Sequence, residues 1–225
     1  MLTIMEGDIN IRLGQVVLEG NLQTPPSPTG LIIFSHGSGS DRHSIRNNFI
    51  AKYLNSIGFA TFLFNMLSKE EEFDIVKKFD MNLLSRRLRH ITVWLHNIPQ
   101  FKMLKTGFFG VDTGAAAALI AAAKLHLEIA AIVCRGGRAD LASEFLESIN
   151  PPVLSIVGEL DQQILELNKK AFEKLRKIKK LEVILGASHL FEEEGKIEEV
   201  ARLTGLWFSE FLPQKTGTAI EDLKY

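Results

Sequence analysis

Six short apolar runs recur along the chain: LIIF (31–34), FATFLF (59–64), TGFFGV (106–111), AAIVC (130–134), PVLSIVG (152–158) and LEVIL (181–185). Continuous runs of this length suit strands covered on both faces. Between them apolar residues fall at helical spacing over 44–57, 81–97, 113–125, 140–149, 164–178 and 194–211. Ahead of the first run, DINIRLGQVVLEGNLQTP alternates apolar and polar positions, with breaks at Gly14 and Gly20, which predicts an antiparallel hairpin. Strand and helix then take turns to the end, so the expected class is α/β: a mostly parallel twisted sheet with helices on both faces. The stretch MLSKEEEFDIVKKFD (66–80) follows neither period and is expected to be a mobile loop or short helix, its part as a lid left open.

Composition narrows the function classes more than the fold. At 225 residues with 46% hydrophobic and 24% charged residues, the chain can bury one sizeable core, and residues 1–225 are expected to form a single domain. A net charge of -1 supplies no overall field to draw in nucleic acid or an anionic membrane. The most apolar stretch, Ala115 to Ala123, is too short to span a bilayer. The single Cys134 has no partner for an intramolecular disulfide, and MLTIMEGDIN lacks the basic and apolar regions of a leader, so a cytoplasmic setting is expected. No metal or cofactor is called for, and the expected partner is a small molecule.

The chemistry concentrates at strand ends. In FFGVDTGAAAALIAAA a buried strand meets an alanine-rich helix through Gly110-Val111-Asp112-Thr113-Gly114, the spacing of a nucleophile elbow. Taken alone, Asp112 could be a turn residue serving local N–H groups. Asp161 follows the next-to-last strand in GELDQQ, and His189 follows the last in GASHLF. Elbow, acid and histidine thus come in the chain order of α/β-hydrolases. The glycine-rich FSHGSGSDRHS after LIIF suits a loop giving one backbone N–H to an oxyanion hole; Ser38 and Thr113 are the expected donors. His36 within it reads as structural rather than as a base.

LIIFSHGSGSDRHSIRN, GFFGVDTGAAAAL, CRGGRADLA and GASHLFEE together resemble the dienelactone hydrolase-like branch of the α/β-hydrolases, the group found fused to or near phosphoribosyltransferase domains. The likeness runs from about Gly30 to about Phe211. It implies an uncapped α/β-hydrolase fold with nucleophile, acid and histidine at Asp112, Asp161 and His189. The branch carries serine where this chain has Asp112.

A carboxylate, with a reference pKa of ~3.9, is ionised without help from a base. Its attack on an ester carbonyl gives an anhydride that reverts, so its natural electrophile is an sp3 carbon bearing a leaving group. His189 would then activate water against the aspartyl ester. Two other readings stand beside this one: an ester or lactone hydrolase disabled by aspartate at the elbow, and a non-catalytic module that keeps the pocket. Arg42, His43 and Arg46 follow the glycine-rich loop, and Arg135 and Arg138 follow another strand. They read either as solvated loop charges or as a rim for an anionic substrate, and the rim is the expectation. Trp94, Trp207 and Cys134 read as packing residues.

Overall fold

The computed structural model describes residues 7–212. The opening residues, expected to carry no leader signature, lie outside the described residues up to Gly7. Along the chain run β1 (Gly7–Leu13), β2 (Val16–Gln23), β3 (Gly30–Ser35), α1 (Ile45–Ser56), β4 (Phe59–Phe64), α2 (Ile75–Lys78) and α3 (Met81–His96). After these come β5 (Thr106–Val111), α4 (Thr113–Lys124), β6 (Ile129–Arg135), β7 (Val153–Gly158), α5 (Gln162–Lys174), β8 (Lys179–Ile184) and α6 (Lys196–Phe211). The strands form one eight-stranded sheet in the order β1-β2-β4-β3-β5-β6-β7-β8. β1 and β2 are the expected antiparallel hairpin, and β2 also runs antiparallel to β4; every later pairing is parallel.

Side chains alternate across the sheet, so each six-residue apolar run feeds two cores. On one face Leu31, Ile33, Phe62, Phe108 and Ile132 pack with Leu84, Leu88 and Ile91 of α3 and with the alanines of α4. On the other, Ile32, Phe34, Phe109, Val133 and Ile156 meet Ile50 and Leu54 of α1 and Val200 and Phe208 of α6. Alanine at 115–118 lets α4 lie close to the strands. No helix among the described residues is long and apolar enough to cross a membrane.

One stretch differs from expectation, and a second, 66–80, is the expected loop with a short helix. The expected helix over 140–149 is instead a pair of 3-10 turns, Ala139–Ala142 and Leu146–Ser148. Its bonds close over three residues, as in Phe145 N–H to the Ala142 carbonyl at 2.9 Å and Ser148 N–H to that of Phe145 at 3.0 Å. A spacing of three or four between apolar residues serves either geometry, and here it buries Ala142, Leu146 and Ile149. The segment 66–80 holds a 3-10 turn, Glu71–Phe73, followed by the single turn of α2, which Asp74 caps through the Val76 N–H at 2.9 Å.

Candidate active site

Five strands of the parallel part deliver the chemistry to one end of the sheet. Asp112 lies between β5 and α4 with φ +49° and ψ -122°, a conformation that side chains seldom adopt and that points the residue out of the turn. The flanking glycine explains how so sharp a turn fits. A Cβ on Gly114 would stand 2.1 Å from the Ser35 carbonyl oxygen, so the helix start packs directly on β3. Ser35 fixes this contact by donating its hydroxyl to the Gly114 carbonyl at 2.8 Å.

The side chain of Asp112 takes no cap hydrogen bond at the start of α4. This is the behaviour of a group presented to a cavity, and it differs from the ordinary turn aspartate that bonds its own backbone. The glycine-rich loop lies directly above: a Cβ on Gly37 would be 2.7 Å from the Asp112 Cβ and 2.9 Å from its Oδ2. His36 pins that loop. Its Nε2 accepts the Met66 N–H at 3.2 Å and its Nδ1 faces the Gly37 carbonyl at 3.1 Å, an arrangement for the neutral ring; burial holds its pKa below the usual value.

Asp161 and His189 come together as their order along the chain suggests. Asp161 begins α5, where its Oδ1 accepts the Ile164 N–H at 3.4 Å, while its Oδ2 lies 2.6 Å from Nδ1 of His189. The carboxylate is mostly buried and the imidazole is 40% exposed, with its other nitrogen left for the cavity. Gly136, at φ +53°, passes so close that a Cβ there would be 3.2 Å from Cε1 of the ring. No ion pair within 4.0 Å joins Asp112 to His189, both of them described residues.

A cavity of about 670 Å3 opens between these groups. Asp112, His189, Gly37, Ser38, His43, Arg46 and Arg135 line it, with Ile45, Met66, Leu67, Leu84 and Leu190 as its apolar wall. The five basic residues read from the sequence divide. Arg46 and Arg135 reach the cavity, as does His43. Arg42 is turned to Glu19 at 3.0 Å and Asp8 at 3.7 Å, and its Nη1 is 2.6 Å from His43 Nε2. Arg138 clasps Asp140 through two bonds of 2.9 and 2.8 Å. Neither Arg42 nor Arg138 lines the cavity.

Of the two that do, Arg46 donates Nη1 to Glu192 at 2.8 Å, tying α1 to the loop after His189. Arg135 is only 4% exposed, and its Nε and Nη1 are buried without a partner. Burial, and then the charge of Arg46, lowers its pKa to about 10, so it remains a cation at neutral pH. The ring of Phe191 lies 5.9 Å from its guanidinium carbon. The expected oxyanion donors show one complication: the Ser38 N–H is bonded to the Thr113 hydroxyl at 2.9 Å. Cys134 is buried, and burial pushes its thiol up to about 12, as befits a packing residue. Among the described residues no group of three or more His, Cys, Asp or Glu could hold a metal ion.

Sequence reasoning did not find the apolar wall or Glu192. Leu84 and Met66 carry no chemical signature, and they join the site only because α3 packs on α4 and because Met66 follows β4, the strand paired with β3.

A model of the dienelactone hydrolase family matches residues 18–210. A dienelactone hydrolase from Anabaena variabilis is 42% identical in sequence; the alignment covers 92% of this chain and 98% of that one, with a TM-score of 0.88. A Mycobacterium tuberculosis protein bearing the name of a phosphoribosyl transferase is 45% identical over 209 residues, 93% of this chain. The chain spans only 47% of that relative's length. Est1E from Butyrivibrio proteoclasticus shares the fold at 16% identity, with a TM-score of 0.79 over 91% of this chain and 98% of its own.

Proposed function

Because the chain belongs to the dienelactone hydrolase family, we propose that it is a hydrolase of small anionic molecules working through Asp112, His189 and Asp161. The observation that carries this reading is the elbow itself: Asp112 is held at φ +49° with its carboxylate unspent on the helix start, in a cavity also lined by a histidine already oriented by Asp161 at 2.6 Å. Asp112 attacks an sp3 carbon, and the leaving group departs with the bonding electrons. His189 then takes a proton from water, whose oxygen adds to the aspartyl ester carbonyl. Collapse expels the alcohol oxygen, which takes the proton back from His189, and leaves Asp112 as a carboxylic acid holding one oxygen from water; loss of its proton to solvent restores the carboxylate.

During ester hydrolysis the oxyanion forms on Asp112 itself. The Thr113 N–H opens α4, where the helix provides it no acceptor, and it serves as the first donor. The Ser38 N–H joins it by exchanging the Thr113 hydroxyl for the oxyanion. Arg46 and His43 favour an anionic substrate from the cavity wall, with the buried Arg135 adding positive charge beside the nucleophile's strand; Arg42 and Arg138 are neutralised by acids of their own.

Single turnover in oxygen-18 water tests the reading. Label should enter Asp112 and leave the alcohol product unlabelled, and Asp112→Asn should stop the first step. Labelled product with unlabelled Asp112 would refute it. A second reading has its own support, since Asp112 forms no ion pair with His189: the elbow is that of an ester hydrolase in which aspartate replaces the serine. On that reading Asp112→Ser creates hydrolysis of an activated aryl ester, and no substrate labels Asp112.

A further inference from the structure

A nucleophilic carboxylate creates a requirement that a serine does not, because displacement at an sp3 carbon releases an anion inside the cavity. Few donors there are free to receive it. The Ser38 N–H is taken by Thr113, Arg42 and Arg138 are paired with acids, and neither Trp nor Tyr lines the space. Arg46 is held by Glu192, and Lys78 of α2 lines the space only as a partly exposed cation; Arg135 is the buried donor without an acid of its own. It stands on the strand next to the nucleophile: its Cα pairs with that of Val111, and its carbonyl accepts the Asp112 N–H at 3.3 Å. Its guanidinium lies at the cavity wall with Nε and Nη1 enclosed and unpartnered, so Nη2, also without a protein partner, is the nitrogen that keeps accessible surface; Arg46 beside it has an enclosed, unpartnered Nε as well. A buried cation without an acceptor is among the costliest arrangements in a protein, and an arriving anion relieves it.

We propose that Arg135, seconded by Arg46, is the receptor for the departing anion, so that the substrates of this site are alkyl compounds whose leaving group is a halide or an oxyanion. The inference rests on the nucleophilic reading of Asp112. The Asp112 oxygen forms its bond to carbon as the carbon–leaving-group bond breaks, and the electron pair goes out on the leaving group to the guanidinium. Water later supplies the oxygen that restores the carboxylate, so the balance is R–X + H2O → R–OH + X− + H+. Epoxides, whose leaving oxygen stays tethered as an alkoxide, fall outside the class.

The test traps the first step. In a His189→Gln background, where the ester cannot be hydrolysed, chloro-, bromo- and iodoacetamide and the corresponding acetates are reacted with the protein, and the Asp112 adduct is followed by intact mass and peptide mapping. Asp112→Asn sets the background, and the buried Cys134 thiol, with its pKa near 12, competes little. Arg135→Gln should slow adduct formation roughly 100- to 1,000-fold with amides and acetates alike. It should also steepen the dependence on the halide, which loss of packing alone would not do. Arg135→Lys, which keeps the charge, should recover part of the rate and guards against a glutamine variant that fails to fold.

Slowing confined to the acetates would mean that the guanidinium holds a substrate carboxylate, and it would overturn the proposal. So would equal rates with and without Arg135; in both cases the Asp112 nucleophile would stand. No adduct on Asp112 with any reagent would instead overturn the proposed function, and this inference with it.

Discussion

Asp112 is held in a strained backbone so that its carboxylate faces the cavity, and the cost of that strain is met by close packing around the turn. The Cβ of an alanine at 114 would meet the Ser35 carbonyl oxygen at 2.1 Å, and main chain has no rotamer by which to retreat. Gly114→Ala should therefore destabilise the fold by about 3 kcal/mol, the upper end for overpacking. For a chain of this length that is a fall of roughly 6 to 12 °C in melting temperature, readable by calorimetry. At the other carboxylate, Asp161→Asn should lower the turnover number about 10,000-fold, by the precedent of triads whose histidine loses its charged partner. Asparagine caps helices as well as aspartate does, so the melting temperature should hardly move. An equal loss of stability and turnover would show that the substitution acted through α5 and not through the ring. The positions of Asp112, Asp161 and His189 could be read from the sequence because each lies within a few residues of the end of an apolar strand run. The partners of Arg42 and Arg138 could not, since Glu19, Asp8 and Asp140 have no pattern that marks them as acceptors.

The element beside the cavity mouth shows why 66–80 has no legible period. No residue of the turn Glu71–Phe73 or of α2 is buried, so no apolar stripe is written into it. It is fixed by charge. Glu71 bonds the buried Arg87 of α3 at 2.8 and 2.7 Å and Lys77 at 3.2 Å, while Arg87 also reaches the Met66 carbonyl at 2.8 Å. The Arg87 guanidinium foremost lowers the Glu71 carboxyl from 4.5 to about 2. A depressed carboxylate stabilises the fold above its unfolded pKa and loses that contribution as pH falls toward its folded value. Stability should thus decline between about pH 5 and pH 2, more steeply than in Glu71→Gln. That variant, which leaves Arg87 buried with its charge unmatched, should cost about 3 kcal/mol at neutral pH. Superimposable acid-unfolding curves for the two proteins would remove Glu71 from the account. The 140–149 stretch failed for a different reason: apolar spacing of three and four is shared by α and 3-10 geometry, and hydrogen bonding decided between them.

Across the whole molecule, the parallel order of β4, β3, β5, β6, β7 and β8 brings residues from 36 to 191 to one edge. Strand runs and their alternation with helices foretold that edge, because chain direction in a parallel sheet fixes which ends gather. The cavity's apolar side was not foretold, since it depends on how α3 packs on α4. The arrangement makes one salt-dependent prediction. Arg46 and Glu192 join α1 to the histidine's loop across 146 residues of sequence, with side chains 35% and 61% exposed. Raising salt from 0.01 to 1 M shortens the screening length from about 30 to 3 Å. Glu192→Gln, which leaves the Arg46 charge unmatched, should therefore steepen the loss of anionic-substrate affinity with salt, and unchanged dependence would place the sensitivity elsewhere. The same edge also settles how still its histidine can be. Asp161 is anchored twice, to the first turn of α5 and to Nδ1, so a half-exposed imidazole inherits the stillness of a thirteen-residue helix. A ring free to hop among rotamers on the picosecond to nanosecond scale would forfeit about 1 kcal/mol of ordering each time water had to be met in line. With α5 as its rudder, the imidazole waits already aligned, and side-chain relaxation measurements should find it nearly as rigid as the backbone around it.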